Sequence, residues 1–364
     1  MIVQDIINQL EELAPLAYAE EFDNVGLLVG DKNTKVTGVL ITLDTLPKVV
    51  DEAITENCNL IVSFHPIIFK GLKSIAGNSY VERVVQKAIK NDIAIFAIHT
   101  ALDNAFSGVN AELCNRLELK NKSILIPQSG TIKKLTTFVP NPDVEAVKKA
   151  LFETGGGAIG NYENCSFSSE GVGTFKGNQA SNPVIGKPHE FKQLREQKIE
   201  IVFAKHLESK ILKTLFKTHP YEEVAYGIST LENKNQHIGM GMIGTLETPM
   251  DENTFLEYVK EKMKCSVIRH SKLLNKNIQK VAVLGGSGSF AIAAAKAAGA
   301  HAFVTSDLKY HDFFAAENQI LLMDIGHYES EQYTKNLLAT YLTKKIPNFA
   351  VLLSKINTNP VKYK

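Results

Sequence analysis

From residue 36 to 117, short apolar runs alternate with stretches whose apolar residues recur every three or four positions. VTGVLITL (36–43) ends at Asp44, and helical spacing through Val50 and Ile54 follows. NLIVSFHP (59–66) is again strand-like and rich in β-branched residues. Helical spacing returns at Val81, Val84, Val85 and Ala88, then DIAIFAIHT (92–100) predicts a third strand and 109–117 a helix. Strands separated by helices predict parallel, buried strands.

The same rhythm returns late in the chain. KVAVLGGSG (280–288) predicts a strand running into a glycine turn, and 289–298 an alanine-rich helix. HAFVTSD (301–307), a helix over 310–317, ILLMDIGH (320–327) and a long helix over 329–342 complete the block. Both blocks place polar residues just past the C-terminal ends of strands, where open α/β sheets bind ligands.

The middle reads differently. LTTFVP (135–140) predicts a strand, 144–153 a helix, and GGGAIGNYENCSFSSEGVGTF (155–175) a loop and strand. IEIVFAK (199–205), a helix over 207–217 and EEVAYGIST (222–230) follow. This β-α-β-β-α-β order is ferredoxin-like. The expected architecture is an α/β core domain, residues 1–130 and 237–364, split by a ferredoxin-like insert at 131–236.

Composition changes this picture little. The chain has 364 residues, 44% hydrophobic and 22% charged, which suits two or three ordinary folded domains. A formal net charge of +1 gives no bulk field for nucleic acid, and basic-aromatic runs are absent. The four cysteines, Cys58, Cys114, Cys165 and Cys265, form no CxxC pair, which fits a reducing compartment. Residues 2–21 place acidic side chains among Ile2, Ile6, Leu10 and Leu13, unlike a secretory signal, and no window has the apolar length of a membrane span. A cytoplasmic location is expected.

Three segments bring metal-ligand residue types to strand ends. SFHP carries His65; HTALD carries His99 and, four residues on, Asp103; GHYESE carries His327 and, four residues on, Glu331. On a helix starting near Tyr328, His327 and Glu331 lie about one turn apart. Imidazole and carboxylate together suit a borderline divalent cation such as Zn, Fe or Mn. Each segment alone also suits a structural histidine or an exposed pair. Their coincidence at equivalent topological positions is what points to metal.

Other motifs are weaker. Gly286-x-Gly288-x-x-Ala291 follows a strand, with Asp307 beyond it, and resembles a dinucleotide fingerprint. A tight packing turn or a phosphate site at a helix start reads it equally well. Asp44 and Asp307 end strands and suit either the cleft or helix capping, and Lys309 suits a phosphate contact or plain solvation. No GxSxG, P-loop or distinctive cysteine context supports nucleophilic catalysis.

EFDNVGLLVG (21–30), SFHPIIF (63–69), HTALDNAFSGVN (99–110), GGSGS (285–289), TSDLKYHD (305–312) and DIGHYESE (324–331) resemble the NGG-one-interacting-factor-three-like family. Its members are also called GTP cyclohydrolase one type two homologues. The central THPYEEVAYGI (218–228) is similar to the PII-like and CutA-like inserts of the longer members. The resemblance implies a dinuclear metal centre in each subunit of a toroidal homohexamer. By position it implies that His65 and Asp103 hold one metal, His327 the other, and Glu331 bridges both. His99 becomes an extra ligand or a partner of one. His311 matches a family position near the site and suits proton transfer or a structural role. One departure stands out: the family's His-His-Pro is Phe64-His65-Pro66 here, so one firm metal position and one weakened one are expected. The resemblance suggests a metal-dependent hydrolase of a nucleotide-like or phosphorylated small molecule, with Glu331 or His311 managing the proton. A non-catalytic metal-binding scaffold or regulator is the alternative.

Overall fold

The computed structural model describes all residues, Met1–Lys364. Two compact units form, residues 1–127 with 236–364, and residues 128–235.

The first unit holds two sheets. The five-stranded sheet runs Gly26–Val29, Ala94–Ala97, Leu60–Ser63, Val39–Thr42 and Val351–Leu353. Its last four strands are parallel, and Gly26–Val29 lies antiparallel at the edge. Every residue of Val39–Thr42, Leu60–Ser63 and Ala94–Ala97 is buried, as expected of parallel strands covered on both faces. The helices Val3–Leu13 and Thr334–Lys345 cover one face through Ile6, Leu10, Leu338 and Leu342. Pro47–Thr55 and Tyr80–Lys90 cover the other through Val49, Val50, Val84 and Val85.

The second sheet of this unit has six strands, in the order Arg269–His270, Leu321–Asp324, Ala302–Ser306, Asn277–Ser287, Asn235–Asp251 and Lys120–Gln128. Asn277–Ser287, Ala302–Ser306 and Leu321–Asp324 are parallel. Arg269–His270 and Asn235–Asp251 flank them antiparallel. The α/β class expected from the alternating pattern is therefore observed.

Two predicted elements end differently. The strand over 92–100 stops at Ala97, and His99 opens the short helix His99–Asn104 with φ +22°. The helix over 329–342 is two helices, His327–Glu331 and Thr334–Lys345. Gln332 lies between them, its side-chain amide donating to the Met263 carbonyl at 2.7 Å.

The second unit is one antiparallel four-stranded sheet, ordered Phe167–Lys176, Phe191–Ala204, Ile132–Pro140 and Tyr226–Leu231. The helices Val144–Glu153 and Glu208–Thr218 pack on one face. Val147, Leu151, Ile211 and Leu215 meet Leu135, Val139, Ile199, Ile201 and Phe203 there.

Candidate metal centre

Backbone bonds carry the chain past the end of Leu60–Ser63 and set His65. The Phe64 N–H donates to the Thr42 carbonyl at 3.1 Å and the His65 N–H to Leu43 at 2.9 Å. Phe64 is fully buried and belongs to the apolar core with Val62 and Phe96. Its neighbour's imidazole faces a cleft of about 450 Å3, as alternation along an extended chain requires.

His327 arrives from the other sheet. Leu321–Asp324 leads into Gly326, whose φ of +91° turns the chain. A Cβ at Gly326 would lie 2.4 Å from Glu329 Oε2. His327 then starts its five-residue helix and Glu331 ends it, one turn later. The Gly285-Gly286 turn seats Glu331. Gly286 has φ +72°, and a Cβ there would come within 2.5 Å of Glu331 Oε1. The Gly286 N–H donates to Ser330 Oγ at 2.9 Å, and the Gly285 N–H to Asn110 Oδ1 at 3.1 Å. The glycines of the apparent dinucleotide fingerprint thus make room for a carboxylate.

Three donor atoms converge. Glu331 Oε2 lies 3.0 Å from His65 Nε2 and 3.1 Å from His327 Nε2, and the two nitrogens are 3.4 Å apart. A cation bonded at about 2.0–2.2 Å sets its donors about 3.0 Å apart at a right angle and about 3.4 Å apart at the tetrahedral angle. Each imidazole is braced on its far side. His65 Nδ1 is 2.8 Å from Asp44 Oδ1, and His327 Nδ1 is 2.6 Å from Asp307 Oδ2. A proton on each Nδ1, held by a carboxylate, leaves Nε2 lone pairs for a metal. The braces are braced in turn: the Thr358 hydroxyl donates to Asp44 at 2.5 Å and the Ser287 hydroxyl to Asp307 at 2.6 Å.

Asp103 lies beside this triangle, not in it. It is buried, and its Oδ1 has no hydrogen-bond partner. Burial and the Glu331 charge push its carboxyl well above the usual carboxylate range. An orphaned buried carboxyl next to three convergent donors fits a divalent cation. His99 stands apart from the converging set. Its Nδ1 is bonded to Asp23 Oδ1 at 2.8 Å, and its ring centre is 5.3 Å from that of His65. Burial raises the Asp23 carboxyl, but hydrogen bonds from His99 and Thr100 outweigh this and hold it low. His311 is exposed, with its ring against Tyr310 and Phe314, and it does not line the cleft. Asp23 and Thr358 were not anticipated as site residues. Burial pushes the Cys114 thiol up to about 12 and, with nearby acids, Cys58 to about 11, which leaves both unreactive.

Without a cation the cluster balances its own charge. Burial lowers His65, but Glu331 and Asp44 outweigh it and raise His65 to about 10. Burial likewise lowers His327, but Asp307 and Glu331 outweigh it and raise His327 to about 11. Burial would raise Glu331, yet the two histidines bring it down to about 2. Raised histidines stabilise the fold fully below their ordinary 6.5 and lose that contribution as pH rises through about 10 and 11. The lowered Glu331 contributes above its ordinary 4.5, and the gain is lost as pH falls through about 2. The cluster therefore stabilises the metal-free protein most between 4.5 and 6.5. A divalent cation must displace the histidine protons, so the metal-induced rise in Tm is expected to grow from about pH 6 to about pH 9. Calorimetry with chelator and with Zn or Mn across that range checks it; a flat or falling difference contradicts it.

A histidine–carboxylate cluster with carboxylate-braced imidazoles, set at the strand ends of an α/β unit, could hold a metal ion. Residues 1–360 match the family described as Duf34/NIF3 (NGG1p interacting factor 3), and the chain belongs to it. It is 39% identical over 366 residues to a Bacillus subtilis protein named GTP cyclohydrolase 1 type 2 homolog, covering 98% of this chain and 97% of that one. A Staphylococcus epidermidis protein of the same name is 38% identical over 369 residues, with both chains fully covered. The crystal structure of a Bacillus cereus protein related to NIF3 is similar at a TM-score of 0.88 and 38% identity, covering 100% of this chain and 99% of that one. No helix of the chain is long and apolar enough to cross a membrane.

Proposed function

We propose that this protein is a divalent-metal-dependent hydrolase of a nucleotide-like or phosphorylated small molecule. The convergence of His65 Nε2, His327 Nε2 and Glu331 Oε2 on one point beside an open cleft carries the reading. The names of its relatives favour a nucleotide-like substrate. A bound cation would acidify a water and polarise the electrophile.

The chain's own groups supply the rest. Glu331, buried and unprotonated, would hold the cation through Oε2 and take a proton from an attacking water on its other carboxylate oxygen. Asp44 and Asp307 hold the tautomers that keep both Nε2 atoms unprotonated. Arg269, paired with Asp324, gives the cleft wall a cation for an anionic substrate group. Asp103 completes the ligand set. His99, held by Asp23, backs His65 as its neighbour. His311 lies off the cleft wall, so proton transfer falls to Glu331. Stripped protein reloaded with Zn, Fe or Mn should hydrolyse GTP, another nucleoside phosphate or a phosphomonoester. Chelator and His327→Ala should each abolish turnover. An untouched panel with metal bound would sink the reading.

Phe64 supports the second reading, a non-catalytic metal-binding scaffold in a cytoplasmic homohexameric ring. Its ring fills core space 5.5 Å from that of His99, where the family pattern supplies a second imidazole. One tight cation per chain is therefore expected. Phe64→His should raise the stoichiometry to two, at a cost of about 1–3 kcal/mol to the metal-free fold for the buried polar ring. Metal analysis after dialysis, with calorimetry, checks both. Two tight cations in the unaltered chain would contradict it.

A further inference from the structure

A cavity of about 830 Å3 opens on the second unit's sheet, on the face opposite its two helices. Alternation along the strands assigns the faces: Ile199 and Ile201 point to the helices, while Glu196 and Lys198 line the cavity. Phe138, Val172, Phe175 and Ile185 give it apolar walls.

One carboxylate is sunk into this apolar surround. Glu196 is 9% exposed and accepts the Tyr221 hydroxyl on Oε1 at 2.7 Å. No hydrogen bond engages its Oε2. That oxygen leans over Gly173, where a Cβ would lie 2.0 Å from it. Glycine inside a strand marks such a close approach. Tyr221 is pinned in turn by buried His219. His219 Nδ1 accepts the Tyr221 N–H at 3.1 Å, and Nε2 donates to the Phe138 carbonyl at 2.9 Å. The THPYEE segment, which plays no part in the metal cluster, thus builds one side of this cavity.

The charge balance selects the ligand. Glu170, Glu196, Glu222 and Glu223 line the cavity against Lys176 and Lys198. Lys198 is already paired with Glu200 at 3.0 Å, so it does not neutralise Glu196. The Glu196 oxygen without a protein donor is left for a ligand, and a charged donor reaching it in this apolar surround makes a strong hydrogen bond. An ammonium supplies such a donor, and the Phe175 and Tyr221 rings, centres 6.2 Å apart, flank the same space. We propose that this cavity binds an organic ammonium ion carrying an apolar body, with Glu196 as its counter-ion.

The test uses the full chain and two probes of nearly equal shape, 3-phenylpropylamine and the neutral 3-phenylpropan-1-ol, titrated by NMR or calorimetry. Saturable one-site binding is expected for the amine, at least about tenfold tighter than for the alcohol. Glu196→Gln should remove that preference. Should Glu196→Gln misfold by circular dichroism, Tyr221→Phe carries the comparison and should weaken amine binding while sparing the alcohol. Equal binding of the two probes, no saturation by the amine, or an unchanged preference in the variant that folds would overturn the proposal.

Discussion

Asp103→Asn is expected to raise the melting temperature of the metal-free protein and to lower its affinity for a divalent cation at least a hundredfold. These opposite changes have one cause. Asp103 is buried, its Oδ1 is unpartnered, and Glu331 and Asp23 crowd it with like charge. A carboxyl raised above its ordinary 3.8 takes stability from the fold at any pH above that value. Asparagine has nearly the same shape and carries no charge to desolvate. The Asn110 side chain bonds the Asp103 backbone carbonyl, at 3.0 Å, and that bond survives the change. A gain in stability is expected near neutral pH, read as a higher metal-free Tm. The sign follows from linkage: the gain should shrink as pH falls and vanish below 3.8, where the aspartate is neutral in both states. Metal affinity moves the other way because an amide oxygen is a poorer ligand than a carboxylate. Calorimetry in chelator and competition titration with a chromophoric chelator measure the two halves. A lower metal-free Tm with unchanged affinity would make Asp103 an ordinary structural residue.

What the sequence could reveal about this cluster divides along a physical line. His65, His327 and Glu331 were legible because strand ends and one-turn helical spacing are local properties of the chain. Their orientation was not local. Asp44 and Asp307 end strands, which suits a cap or a cleft equally. Pairing of neighbouring parallel strands sets Asp44 against His65 and Asp307 against His327, with Thr358 reaching Asp44 from the far end of the chain. Only the packing of one sheet against the other brings His65 to His327 and Glu331. Gly286 shows the same limit. Its pattern marks a turn that tolerates close approach, and what approaches is Glu331 Oε1, not a pyrophosphate. The alternating blocks were readable because their strands are buried on both faces. Lys120–Gln128 and Asn235–Asp251 were missed because both are partly exposed and carry no clean apolar signal. The Phe64 ring could pack inward or leave a ligand gap on sequence grounds. It packs inward, as a fully buried member of the core.

Glu331→Gln should act more severely than any other single change at the cluster. Glu331 is 3% exposed and is the one carboxylate within 3.0 and 3.1 Å of the two Nε2 atoms. Glutamine keeps the volume and removes the charge, so the protonated histidines lose the partner that most raises His65 and helps raise His327. Breaking a buried pair in this one-sided way costs about 3–5 kcal/mol. The loss should be largest at pH 5–6, where both histidines and Glu331 are charged, and smaller near pH 9, as deprotonation of His65 begins. Asp103 responds in the opposite sense. With Glu331 neutral, the leading like charge on its carboxyl disappears and its pKa should fall toward the ordinary range. Cation binding should be abolished, not merely weakened, because the only anionic donor of the convergent triangle is gone. Urea unfolding at pH 5.5 and 9, with metal titration, separates these effects. A variant that still binds one cation with near-native affinity would show that Asp103 and the histidines suffice, and the central place given to Glu331 would be wrong.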